Sequence, residues 1–226
     1  MIIYGKQLFL HILSKKKEII KCVYLAKECD KAIFNRIIKA NLEVKRVDFK
    51  KAQALARGGN HQGFLAEVED FVFCDISQMK KFTKIAILYE LTDVGNIGAI
   101  IRTAYALGMN GIIIVAKSVA MEGVVRTSSG AAYEIPICLY SDGLSLINEL
   151  KQSEFSVYTT ASGGKDIRNT KFNTKVALIM GSEGDGIPKK VLSKADECIG
   201  ICMKNGFDSL NVSAAFAIIC DRIMNE

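Results

Sequence analysis

The chain has 226 residues, half of them hydrophobic, which suffices for the core of one large or two small domains. Its net charge of +6 is uneven: residues 1–83 carry 16 Lys and Arg against 9 Asp and Glu, and residues 84–226 carry 14 against 15. Met1-Ile-Ile-Tyr-Gly-Lys6 does not read as a signal peptide, and no stretch approaches the roughly 20 uninterrupted apolar residues of a membrane span, so a soluble protein is expected.

In chain order, Ile2–Tyr4 is a short apolar start, and Lys6 to Ser14 has helical spacing. Ile19 to Ala26 reads as a strand, Asp30 to Ala40 as a helix capped by Asp30, Val44–Val47 as a strand, and Asp48 to Arg57 as a helix. Arg57-Gly-Gly-Asn-His61-Gln-Gly63 interrupts the alternation with two glycines and three side chains that donate and accept hydrogen bonds. Phe64 to Glu69 resumes it as a strand. A linker is expected at 73–83, centred on Asp75–Lys81.

From Ile85 a second α/β unit begins. Strands are expected at Ile85–Tyr89, Gly111–Val115, Ile135–Leu139, Phe155–Thr160, Val176–Met180 and within Asp196–Met203. Helices are expected at Ile97–Leu107, stopped by Gly108, at Glu122–Ser128, at Leu144–Leu150 and over the last residues, Val212–Met224. Ser162–Lys175 reads as a polar loop. The alternation implies a mostly parallel sheet with helices on both faces.

Three strand-to-helix turns carry small and hydrogen-bonding residues: Asp93-Val-Gly-Asn96-Ile-Gly98-Ala-Ile-Ile-Arg102, Ile179-Met-Gly181-Ser-Glu183-Gly-Asp-Gly186-Ile-Pro188, and Ile201-Cys-Met203-Lys-Asn-Gly-Phe-Asp208-Ser209-Leu210-Asn211. In the third, Asp208-Ser209 stands where a helix N-cap is expected. Turns of this kind on neighbouring parallel strands meet at the carboxyl edge of a sheet, where open α/β sheets bind ligands. Arg102 is the lone charge in a helix of otherwise apolar character, which directs it to a site rather than to bulk water. The glycines of 181–186 lack dinucleotide-binding spacing, and Ile187 and Pro188 replace the Lys and Ser/Thr of a P-loop, so a nicotinamide oxidoreductase or an NTPase is a remote alternative. The seven cysteines are scattered, with no C-x-x-C pair, and are expected to be reduced and buried in a cytoplasmic protein. His11 and His61 are far apart, so no metal site is expected.

In this order, the three turns resemble the motifs of the SpoU (TrmH) family of RNA ribose 2′-O-methyltransferases, over roughly 84 to 226. Ile3-Tyr4-Gly5 and His61-Gln62-Gly63 resemble the small N-terminal substrate-binding domain of one branch, over about 1 to 72, a branch that includes enzymes of large-subunit ribosomal RNA guanosine. The resemblance implies a trefoil-knotted SPOUT methyltransferase domain at 84–226, an RNA-binding domain at 1–72, S-adenosylmethionine as cofactor, RNA as partner and a homodimer whose active site the partner chain completes. By motif position it implies Asn96, Arg102, Glu183, Ser209 and Asn211 as catalytic residues, and Gly181, Ile201, Met203 and Leu210 along the cofactor. Val94 and Cys202 stand where the family usually has proline, which affects loop rigidity rather than reacting groups. A large-subunit (23S) ribosomal RNA guanosine is the expected substrate; transfer RNA is the alternative within the class, and a non-catalytic RNA-binding or ribosome-assembly factor the alternative outside it.

Overall fold

The computed structural model describes residues 1–182, 186–204 and 208–225. Two sheets organise them. The first contains β1 (Ile2–Tyr4), β2 (Ile20–Leu25), β3 (Glu43–Arg46) and β4 (Phe64–Val68) in the spatial order β1-β4-β2-β3. β4 runs antiparallel to β1 and β2, while β3 runs parallel to β2. Helices α1 (Lys6–Lys15), α2 (Lys31–Lys39) and α3 (Phe49–Leu55) connect the strands. Asp30 caps α2, as its sequence position predicts, by accepting from the Ala32 N–H at 2.8 Å, and Asp48 caps α3 through the Lys51 N–H at 2.7 Å.

The expected linker is more ordered than a connection requires. Asp75 accepts from the Ser77 N–H at 2.8 Å and starts a helical turn, α4 (Ile76–Met79), whose Met79 is fully buried.

The second sheet has six strands, all parallel: β5 (Lys84–Tyr89), β6 (Gly111–Val115), β7 (Ile137–Tyr140), β8 (Ser156–Asp166), β9 (Val176–Met180) and β10 (Glu197–Gly200), in the order β10-β8-β9-β5-β6-β7. Parallel neighbours require crossovers. These include α5 (Val94–Leu107), α6 (Met121–Thr127), α7 (Gly143–Gln152) and α8 (Lys189–Leu192), and α9 (Val212–Met224) follows β10. The strand period of two divides the apolar side chains between the faces. Ala86, Leu88, Ile112 and Ile114 share a core with Ile97, Ile101, Val124 and Phe216, while Ile85, Ile87, Ile113 and Val115 share another with Leu146, Ile147, Leu150 and Val191. Both faces are therefore covered, as the continuous apolar strands predict.

Four local expectations are corrected. Helix α5 starts at Val94, before Asn96, because Asp93 caps it by accepting from the Asn96 N–H at 2.7 Å; it ends as predicted at Gly108, in the left-handed region at φ 86°. Strand β8 runs on through Asp166 where a loop is expected, and its pairing with β10 jumps from Thr159–Cys198 to Lys165–Ile199, leaving 160–164 as a bulge. Helix α9 is capped by Asn211, not by Asp208-Ser209: the Asn211 Oδ1 accepts from the Ser213 N–H at 2.9 Å. All seven cysteines are free, but only Cys22, Cys138 and Cys220 are buried, and Cys202 is exposed because it lies in the loop leaving β10.

The two sheets are joined through side chains. Arg126 of α6 lies over the Tyr4 ring, 5.1 Å from its centroid, and hydrogen-bonds to the Tyr4 hydroxyl. His11 of α1 meets Glu134 at 3.1 Å, and Arg57 meets Glu122 at 3.4 Å.

Candidate active site

Strands β5 and β9 are adjacent, and the chain leaves them toward opposite sides: β6 and β7 extend one flank of the sheet, β8 and β10 the other. A crevice opens at the carboxyl ends of strands arranged this way. The turns after β5 and β9 thus sit side by side, as expected. The third turn does not follow a neighbouring strand, because β8 separates β10 from β9. The bulge of β8 spans the gap. Thr160 donates its hydroxyl to the Ile179 carbonyl at 3.1 Å, and Ser162 donates to the Asp208 carbonyl at 3.2 Å, pinning the bulge to β9 on one side and to the third turn on the other.

Between these segments lies a cleft of about 640 Å³, within the range of small-molecule sites. Gly181, Ile201, Met203 and Leu210, the residues expected along the cofactor, all line it, together with Ser209 and Asn211. The fit of backbone to backbone is close. A Cβ on Gly181 would lie 2.6 Å from Ile187 Cγ1 and 2.8 Å from the Gly186 carbonyl carbon, and one on Gly200 would lie 2.6 Å from the Ala161 carbonyl oxygen. The walls are apolar at Met180, Ile187, Val212 and Ile219, with polar groups at Ser162, Asp208, Ser209 and Asn211. Such a lining offers a ligand both apolar surface and hydrogen-bonding groups. Sequence reading missed the contribution of Thr160, Ala161 and Ser162. The Gly163-Gly164 pair was the available signal, since glycines inside a strand mark bulges and close approaches.

The first and third turns touch directly. The Asn211 Nδ2 donates to the Asn96 Oδ1 at 3.0 Å, while the Asn211 Oδ1 accepts from the Ser213 N–H and hydroxyl at 2.9 and 2.6 Å. One side chain therefore caps α9 and holds the residue at the start of α5. Arg102 is not brought into the cleft: it lies exposed, two turns along α5, and does not line the cavity. Glu183 lies outside the described residues. Burial pushes the Cys220 thiol up to about 12 and the Cys138 thiol up to about 11, which keeps both protonated near neutral pH. Among the described residues no group of three or more His, Cys, Asp and Glu is placed to hold a metal ion, and no helix is long and apolar enough to cross a membrane.

Comparison with known proteins settles the family. Residues 84–221 match the model of the SpoU rRNA Methylase family, and residues 2–72 match that of the RNA 2′-O ribose methyltransferase substrate-binding domain. The chain belongs to the SpoU rRNA methylase family. As a SpoU chain it is 29% identical over 231 residues to YacO of Bacillus subtilis, placed in the TrmH family of tRNA/rRNA methyltransferases, covering 96% of this chain and 92% of YacO. A TrmH-family relative in Staphylococcus aureus is 33% identical over 176 residues, covering 74% of this chain and 71% of that protein. The SpoU fold extends over the whole molecule: the methyltransferase AviRb of Streptomyces viridochromogenes, solved in complex with AdoMet, superposes with a TM-score of 0.80 at 18% identity, covering 100% of this chain and 89% of AviRb.

Proposed function

We propose that this RNA methyltransferase transfers the methyl group of S-adenosylmethionine to a ribose 2′-oxygen, with a guanosine of large-subunit (23S) ribosomal RNA as the substrate. The observation that carries the reading is the Asn96–Asn211 hydrogen bond, which joins the first motif to the third, whose Asn211 lines the 640 Å³ cleft together with Gly181 of the second. Bound there, S-adenosylmethionine supplies an electrophilic methyl group. Met180, Ile201, Met203 and Leu210 offer the apolar surfaces for its heterocycle, and the backbone around Gly181 and Ile201 offers hydrogen bonds to its edge. Ser209, Asn96 and Asn211 orient the ribose. Holding the 2′-oxygen in line supplies much of the rate, on the order of 7–11 kcal/mol for well-oriented reactants.

Arg102 has the role of a clamp. A guanidinium stays protonated and has no acceptor, so it does not take the proton; it holds the phosphate beside the target ribose and stabilises the developing oxyanion, while that phosphate or a water accepts the proton. Glu183 orients these groups or the substrate. The exposed position of Arg102 on α5 is consistent with a site completed by a second chain. Two exposed apolar side chains, Tyr105 on α5 and Ile218 on α9, lie on helices that pack together, which supports a homodimer through that pair.

Residues 1–72, which carry the basic excess, bind the RNA and select it. Sizing the RNA labelled from methyl-labelled S-adenosylmethionine tests the substrate. Label in large-subunit ribosomal RNA is the expected result; label in transfer RNA alone would overturn the substrate while leaving the chemistry, and cofactor and RNA binding without any label would overturn the catalytic reading.

A further inference from the structure

A second cavity, of about 440 Å³, lies in the N-terminal unit between the end of β2, helix α3 and the 57–63 loop. Its lining combines three features. Phe49 is 69% exposed at the start of α3, an unusual position for so large an apolar ring. His61 beneath it is only 5% exposed, with the two rings 5.5 Å apart between centroids. Lys27, Gln53, Asn60 and Gln62 complete the rim with a cation and three amides.

His61 is held in one tautomer. Its Nδ1 accepts the Gly63 N–H at 3.0 Å, which places the ring proton on Nε2. No described group accepts from that Nε2, although the residue is nine-tenths buried and lines the cavity. That Nε2 is not sealed from solvent, so the donor is available to a ligand acceptor in the cavity. The loop that presents it takes left-handed backbone at two successive residues. Gln62 and Gly63 have φ of 52° and 83°, and a Cβ on Gly63 would lie 2.3 Å from Lys27 Cγ.

We propose that this cavity receives one unpaired nucleobase of the RNA substrate, stacked on Phe49 and hydrogen-bonded by His61 Nε2, with Lys27 on the adjoining phosphate. The inference rests on the chain acting on RNA, as argued above. An exposed aromatic face, a directed donor and a cation are the elements by which proteins take up single-stranded nucleotides, and the net charge of +7 over residues 1–83 favours a polyanion over an acidic-neutral protein surface. The site also has a fixed relation to the cleft. Gly59 of the loop packs on Tyr4, where a Cβ would lie 2.3 Å from the hydroxyl, and Tyr4 carries Arg126 of α6. One residue along α6, Thr127 donates its hydroxyl to the Val94 carbonyl at 2.6 Å, two residues before Asn96. A base anchored at Phe49 thereby sets the distance along the RNA at which the methyl acceptor is presented.

The test uses the full chain with total bacterial RNA, cross-linked by ultraviolet light and mapped by mass spectrometry. A nucleotide adduct on Phe49 or on the 57–63 peptide is expected. Phe49→Leu, at an exposed position, should leave thermal stability and S-adenosylmethionine affinity unchanged, weaken RNA binding on the order of tenfold, and raise the KM for RNA while kcat stays within about twofold; Phe49→Tyr should restore binding. Adducts confined to other surfaces, with equal RNA affinity in the Leu variant, would overturn the pocket and leave the RNA reading intact. Absence of any RNA adduct or binding would overturn both. Loss of a co-purifying protein in the Leu variant, with RNA binding unchanged, would assign the cavity to a protein partner and overturn the proposal.

Discussion

Asn211 does two jobs that substitution can separate. Asp caps a helix about as well as Asn but lacks the amide donor, so Asn211→Asp should keep the melting temperature of the parent while losing the bond to Asn96 and most methyl transfer. Asn211→Ala should lose activity and, in addition, about 1 kcal/mol of stability through the missing cap, measurable by urea unfolding. Equal activity in the parent and the Asp variant would remove the Asn96–Asn211 contact from the mechanism. Arg102→Lys should retain measurable transfer and Arg102→Ala should not, if charge at the phosphate is what matters; a Lys variant as inactive as Ala, with RNA binding intact, would instead point to bidentate geometry or proton transfer. At this scale the sequence made legible which residues gather, since Gly181, Ile201, Met203, Leu210, Ser209 and Asn211 line one cleft, but not that Arg102 stays outside it. The cap was not legible: Asp208, Ser209 and Asn211 are all good cap residues, and only the path of the chain out of β10 decides among them.

At the scale of elements, close approach of backbones governs the geometry. A Cβ on Gly98 would lie 2.0 Å from Thr127 Oγ1 and 2.7 Å from the Ser128 nitrogen, so α5 and α6 meet at a glycine. Gly98→Ala should destabilise by roughly 1–3 kcal/mol, the usual cost of overpacking, and shift the start of α5 together with Asn96. Chemical denaturation and methyl transfer would both register it, and an unchanged unfolding midpoint would contradict the packing. Gly164, within the β8 bulge, is placed comparably, because a Cβ there would lie 2.5 Å from the Ile199 carbonyl carbon. The helices and most strands followed from period and caps. The extension of β8 through a polar stretch did not, because its pairing with β10 is a long-range contact for which Ser162-Gly163-Gly164-Lys165 carries no alternating apolar signal.

For the molecule as a whole, the acid limit of stability should be set by carboxylates. The Lys80 ammonium, 2.5 Å away, and the Tyr140 hydroxyl hold Glu149 below its usual range; the Ser77 and Ser145 groups do the same for Asp75 and Asp142, and the Arg168 guanidinium does so for Asp166. For Asp196, burial acts upward but is outweighed by Lys151 and the Val157 N–H, and the net direction is down. A folded value below the unfolded one gives stability that is present above the unfolded range and lost as pH falls through the folded values. The urea midpoint should therefore be insensitive to these groups from about pH 7 to about pH 5.5 and decline below about pH 4, near the unfolded carboxylate values. A decline that begins near neutrality would require other groups. Sedimentation equilibrium should give a dimer, and Ile218→Glu on the exposed side of α9 should give a folded monomer with reduced activity; a parent chain that is monomeric at micromolar concentration would contradict the shared site. The α/β alternation and the basic N-terminal third were visible without coordinates, whereas the join of the two sheets through Tyr4 and Arg126 was not, since residues 122 apart in sequence meet there.

The central claim is methyl transfer to a ribose oxygen of RNA, and the alkali resistance of the labelled nucleotide tests it most directly. After incubation with methyl-labelled S-adenosylmethionine, RNA would be hydrolysed in alkali and the label sized. A 2′-O-methyl group blocks cleavage of the linkage that follows it, so the label is predicted in an alkali-stable dinucleotide. Label released in mononucleotides would place the methyl group on a base and contradict the account.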